Sequence, residues 1–64
     1  MYDGLIEYGF RKNADGSFVK ETITLRFDGN YAIINEKIGS QVKTQICWVW
    51  EIRDFLPKWA FEVK

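Results

Sequence analysis

The sequence predicts a mainly β protein: a five-stranded antiparallel small barrel or strongly curved open sheet, with one short helical turn before the last strand. Three observations predict it. Apolar and polar residues alternate with period two over several runs. Those runs are rich in Ile, Val, Thr, Tyr, Phe and Trp. Clusters with turn chemistry separate them, at Asn13-Ala14-Asp15-Gly16, at Asp28-Gly29-Asn30 and around Gly39.

In the first run Ile6, Tyr8 and Phe10 share one side, with Glu7 and Arg11 opposite. A four-residue loop at 13–16 then pairs Lys12 with Ser17, Phe10 with Val19 and Ile6 with Ile23. The second run reads as one continuous strand. Val19, Ile23, Leu25 and Phe27 face inward, and Lys20, Thr22, Thr24 and Arg26 face outward. The next hairpin has two readings. A three-residue loop pairs Phe27 with Tyr31 and Leu25 with Ile33, whereas a two-residue loop at Asp28-Gly29 pairs Ile23 with Ile34.

The fourth run turns Val42, Ile46, Trp48, Trp50 and Ile52 inward, leaving Lys43, Gln45, Cys47 and Glu51 outside. Ile52, Phe55 and Leu56 then take helical spacing, which predicts one turn over 53–56. Pro57 stops it, because the residue before a proline is pushed out of the α region. A last strand carries Trp59, Phe61 and Val63 inward, with Glu62 and Lys64 outward. This element order is that of an SH3-like barrel, without the peptide-binding motifs of SH3 domains. The competing reading at this end is a longer helix over 48–56.

The chain has 64 residues, which sets one domain, 1–64, as the expectation. A domain of this size has a thin core and usually needs a staple or a partner. One cysteine and no histidine rule out an intramolecular disulfide and a Cys/His zinc site. No cofactor is expected. Stability must come from apolar packing, and 17% aromatic residues supply large buried areas. Nine basic and nine acidic residues cancel, which argues against a general polyanion binder and favours self-association. The start of the chain lacks a basic region followed by an apolar stretch, and the lone thiol fits a reducing compartment, so a cytoplasmic location is expected.

Three constellations fail as catalytic or metal sites. Cys47 has no histidine to make it a thiolate and reads as a small apolar residue. Glu7, Glu21 and Glu36 lack a cleft that would shift their proton affinities and read as solvated charges. A calcium-loop reading of the first turn puts Arg11 and Thr22 where carboxylates belong. An enzyme is therefore not expected.

Two binding patches remain. Trp50 or Trp59 at the rim of the domain, beside Arg53 and Lys58, would make a hot spot for a protein partner. Arg11, Lys20, Arg26 and Lys43 on neighbouring outward faces, with Phe18 as a stacking platform, would make a basic stripe for single-stranded nucleic acid. The leading expectation is a non-enzymatic module that docks on a protein through a sheet edge or an aromatic-basic patch, as an inhibitor or adaptor. Single-stranded nucleic-acid binding is the alternative. No membrane partner is expected, and a homodimer is. The scale of the chain is that of small accessory proteins of phages and plasmids.

Overall fold

The computed structural model describes residues 4–62. A helical turn α1 (Gly4–Glu7) leads into five strands: β1 (Arg11–Lys12), β2 (Phe18–Lys20), β3 (Ile23–Asp28), β4 (Tyr31–Ile38) and β5 (Gln41–Trp48). A 3₁₀ turn (Val49–Glu51), the short helix α2 (Ile52–Phe55) and a second 3₁₀ turn (Lys58–Phe61) complete the chain. The strands form one antiparallel sheet in chain order. β1 and β5 lie at opposite edges and do not pair, so the sheet is open and not strongly curled.

The expected mainly β class and five antiparallel strands are present, but the strands are not all the expected ones. The stretch Leu5–Glu7 is helical rather than extended. The Tyr8 and Phe10 amides both donate to the Leu5 carbonyl, and Gly9 ends the turn with φ +96°. Leu5 is buried in consequence and Ile6 is exposed. The run 17–27, expected as one strand, is broken in two. Lys20 pairs with Ile23, so Glu21 and Thr22 form a two-residue turn, with Glu21 at φ +51°.

Neither expected second hairpin occurs. Asp28 pairs with Tyr31, which puts Gly29-Asn30 at the turn and Gly29 at φ +60°. The first loop is one residue longer than expected and pairs Lys12 with Phe18. No strand forms at Trp59 and Phe61, which lie in the second 3₁₀ turn; Val63 lies outside the described residues. The helical segment therefore follows the last strand instead of preceding it, and begins at Val49 rather than Arg53. Pro57 does end α2, with its predecessor Leu56 extended at ψ 150°.

The core sits on one face of the sheet. Phe18, Ile23, Leu25, Ala32, Ile34 and Cys47 point into it, covered by Leu5, Phe10, Ile52, Leu56 and Ala60. Register explains this grouping. Phe18 pairs with Leu25, Leu25 with Ile34, and Ala32 with Cys47, so all lie on one side. The helical segments cover this face only. The opposite face of β3, β4 and β5 has no layer over it among the described residues.

Candidate functional site

The uncovered face of the sheet carries Tyr31 and Ile33 on β4 and Val42, Ile46 and Trp48 on β5. Tyr31 pairs with Trp48 and Ile33 with Ile46, so these side chains stand opposite one another. Tyr31 stacks on Trp48 with ring centres 4.5 Å apart, and Trp48 stacks on Trp50 at 5.0 Å with the planes within 6°. The result is a three-ring aromatic pile at one end of an aliphatic band. All but the half-buried Ile33 are open to solvent: Val42 and Ile46 are each 62% exposed and Trp50 is 69% exposed. The alternation read for β5 is thus real but its sense is inverted. Val42, Ile46 and Trp48 face out, and Cys47 faces the core. Ile52 is buried as expected, from α2 rather than from a strand.

The free edge of the sheet adjoins this face. The Val49 amide donates to the Asn30 carbonyl (2.8 Å), and the Lys37 amide to the Thr22 carbonyl (2.9 Å). Backbone groups along an antiparallel strand turn alternately to its two neighbours. Odd-numbered β5 residues therefore bond to β4, while Val42, Thr44, Ile46 and Trp48 turn their amides outward. The Trp48 amide is taken by the Glu51 carboxylate at 3.3 Å. Val42, Thr44 and Ile46 remain facing an edge that no element of the described chain pairs with.

Beyond the end of β5 lies an open cavity of about 330 Å³, lined by Tyr8, Phe27, Trp50, Ile52, Arg53 and Phe61 among others. Trp50 belongs to both the cavity and the aromatic pile. The Arg53 guanidinium lies over the rings of Phe61 (4.9 Å) and Tyr8 (5.7 Å) and donates to the Tyr8 hydroxyl at 3.2 Å. Tyr8 and Phe61 meet edge to face at 5.5 Å. Arg53 thus ties the start of the described chain to its end. Trp50 and Arg53, read as one patch, do come together. Lys58 is exposed on the last 3₁₀ turn. Trp59 is half-buried against the Lys20 ammonium at 5.9 Å and is no rim residue.

The basic stripe does not form as read. Lys20 is 4% exposed, and its ammonium donates to the carbonyls of Trp59, Ala60 and Glu62. The turn at Glu21-Thr22 causes this, because it puts Lys20 on the same face as Ile23. Phe18, read as a stacking platform, is buried against Phe27 with ring centres 5.8 Å apart. Arg26 does face outward, but it pairs with Asp15 at 3.3 Å. Arg11 is exposed on β1 and shares the outer face through Val19. Lys43 stands on the other face, opposite Glu36.

Asp15 accepts from the Ser17 hydroxyl (2.6 Å) and the Ser17 amide (2.9 Å). These bonds, with a smaller contribution from Arg26, hold its carboxyl below the ordinary range. Burial pushes the Cys47 thiol up, and the Glu51 charge adds to the shift. Both raise the cost of a thiolate there. Among the described residues no three His, Cys, Asp or Glu side chains converge on one point. No helix of the described chain is long and apolar enough to cross a membrane. Comparison with protein-family models, with curated proteins and with solved structures found no match.

Sequence reasoning missed Tyr31, Ile33 and the outward sense of Val42, Ile46 and Trp48. A signal was present. The run Tyr31-Ala32-Ile33-Ile34 is apolar on both faces, which is how a central strand with one uncovered apolar face reads.

Proposed function

We propose that this protein is a small non-enzymatic binding module that docks on another protein through the uncovered face of its sheet and the open β5 edge beside it. The observation that carries the reading is the exposed band of Tyr31, Trp48, Trp50, Ile46 and Val42 lying along backbone groups that nothing pairs with among the described residues. Contiguous apolar surface marks an interaction site, and an aromatic cluster supplies its anchors. An open strand edge adds directional hydrogen bonds to an incoming extended segment. Docking of this kind blocks or recruits its target. A cytoplasmic setting suits the lone reduced thiol.

Nucleic-acid binding is the second reading, and it has less support. Of its four basic residues, Lys20 is buried and Lys43 stands on the other face. Affinity capture from the native cell tests both, with the original chain run against Trp50→Ala and Ile46→Lys. The docking reading expects one dominant protein, retained at high salt and lost with both variants. Retention of single-stranded nucleic acid that falls steeply with salt would replace it with the second reading. A protein bound equally by all three chains would remove this face from the account.

A further inference from the structure

We infer that the β5 edge is occupied by β5 of a second copy of this chain, paired antiparallel about a two-fold axis through Thr44. This deepens the docking reading: the strand that pairs with the β5 edge is supplied by a second copy, and the target is left the uncovered face with its aromatic pile.

The outward amides available on β5 belong to Val42, Thr44 and Ile46, spaced by two and symmetric about Thr44. In an antiparallel ladder a hydrogen-bonded pair exchanges two bonds. Pairing Val42 with Ile46 of the second copy, Thr44 with Thr44, and Ile46 with Val42 employs every one of these amides in both copies. Moving the axis to Gln45 would bring Val42 against Trp48, whose amide already donates to Glu51. Moving it to Lys43 would set Ile46 against Ser40, in the β4–β5 turn.

The side chains agree with the same register. Val42 meets Ile46 and Thr44 meets Thr44 on the outer face, which are favourable cross-strand pairs. On the other face Lys43 meets Gln45, so the only charged residue of β5 does not confront itself. An axis through Lys43 would set two ammoniums against each other. Of the features that deter pairing the edge carries only Lys43: no proline interrupts β5, and its register with β4 runs unbroken from Tyr31–Trp48 to Ile38–Gln41. Zero net charge sets no long-range repulsion against association.

The pairing also has a consequence for the surface. Each sheet has five strands, so the two become one sheet of ten. A two-fold perpendicular to the sheet keeps both outer faces on one side. The two Tyr31–Trp48–Trp50 piles then flank a seam of two Val42–Ile46 pairs with the Thr44 pair between them. A module that is thin as a monomer becomes a broad apolar platform with two anchors.

Sedimentation velocity on the full chain over a concentration series tests the pairing. The expected mass at high micromolar concentration is twice 7.6 kDa. Thr44→Pro removes the central outward amide and no β4–β5 backbone bond, only the Thr44 hydroxyl's bond to the Asn35 side chain (2.8 Å), so it should sediment as a monomer with an unchanged far-ultraviolet spectrum. If that variant fails to fold, Thr44→Lys keeps the backbone and places two ammoniums face to face. It should raise the dissociation constant at least about tenfold. A monomeric original chain overturns the inference, and so does a dimer that Thr44→Lys leaves intact. The two readings fail separately. A monomer that still captures its target through Trp50 ends the pairing alone. A dimer that captures nothing ends the docking reading alone.

Discussion

The Lys20 ammonium donates to the Ala60 carbonyl at 3.2 Å, joining β2 to the last helical turn across 40 residues of chain. The carbonyls of Trp59 and Glu62, each at 3.1 Å, take its other two protons. The rings of Phe10 and Trp59 lie 5.8 and 5.9 Å away. A buried cation is costly unless it is fully hydrogen-bonded. Here backbone oxygens and ring faces do that in place of a carboxylate. Lys20 is therefore the link that holds the C-terminal turn against the sheet.

Lys20→Met keeps the length of the stem and removes all three donors. It should cost on the order of 2–4 kcal/mol, by the usual worth of charged hydrogen bonds and of the acceptors left unpaired. That is a large share of the stability of so small a domain. Urea unfolding measures it. Lys20→Glu should abolish the cooperative transition, because a carboxylate would face three carbonyl oxygens. A transition unmoved by either change would mean that Lys20 is not buried.

Trp50 is exposed, so Trp50→Ala should change stability by less than about 1 kcal/mol, roughly the worth of its stacking on Trp48. The same change should shift the remaining tryptophan emission to the blue, since half-buried Trp59 then contributes more of it. Acrylamide should quench the original chain more strongly than the variant. Equal quenching would contradict the exposed placement of Trp50.

Asp15 sets an acid limit. Its folded proton affinity is lowered, first by the Ser17 hydroxyl and amide. A depressed carboxylate contributes stability that is present above its unfolded pKa and lost as pH falls through its folded one. The melting temperature should therefore decline below about pH 4, and Asp15→Asn should start lower and decline less. Melts recorded from about pH 6 down to pH 2 check this. Parallel curves would show that the Ser17 bonds do not hold in solution.

Cys47 sets the alkaline side. Its folded thiol is raised by burial first and by Glu51 second. Such a group contributes stability that is complete below its unfolded pKa and lost as pH rises toward its folded one. Stability should thus fall above about pH 8.5, less so in Cys47→Ala. At neutral pH a thiol reagent should label Cys47 only as fast as the chain opens, and at once in denaturant. Rapid labelling of the folded chain would place the sulfur at the surface.

Glu21 occupies the left-handed region without being glycine. Glu21→Gly should stabilise the domain by roughly 0.5–1 kcal/mol, and Glu21→Val should destabilise it. Thermal unfolding distinguishes them. This turn is also where sequence reading went furthest astray. No Gly, Asn or Pro occupies 20–23, so nothing local announces the reversal. With the strand read straight through, Lys20 lands outside. With the turn in place it lands beside Ile23, and the basic stripe is lost.

The turns that carry glycine were legible. Gly16, Gly29 and Gly39 all take positive φ within the three expected turn clusters. The alternation in β3 placed Ile23 and Leu25 inward correctly. The β5 alternation was read but inverted, because an uncovered apolar face and a core face write the same pattern. For the candidate site, Trp50 and Arg53 were named together and line one cavity, but Trp50 was read as facing inward and the aromatic pile was not legible. Stacking of Tyr31 on Trp48 depends on a register that the two-residue turn at 39–40 sets.

By itself the amino-acid order determined that this is a small strand-built fold with glycine turns and no histidine. Tertiary structure alone decided which side of that sheet is covered. Period two states only that neighbouring residues point apart; it is silent on which side the helical segments will choose. That choice follows from the turn at Glu21 and from the buried Lys20 that holds the C-terminal segment, contacts made across some 40 residues of chain.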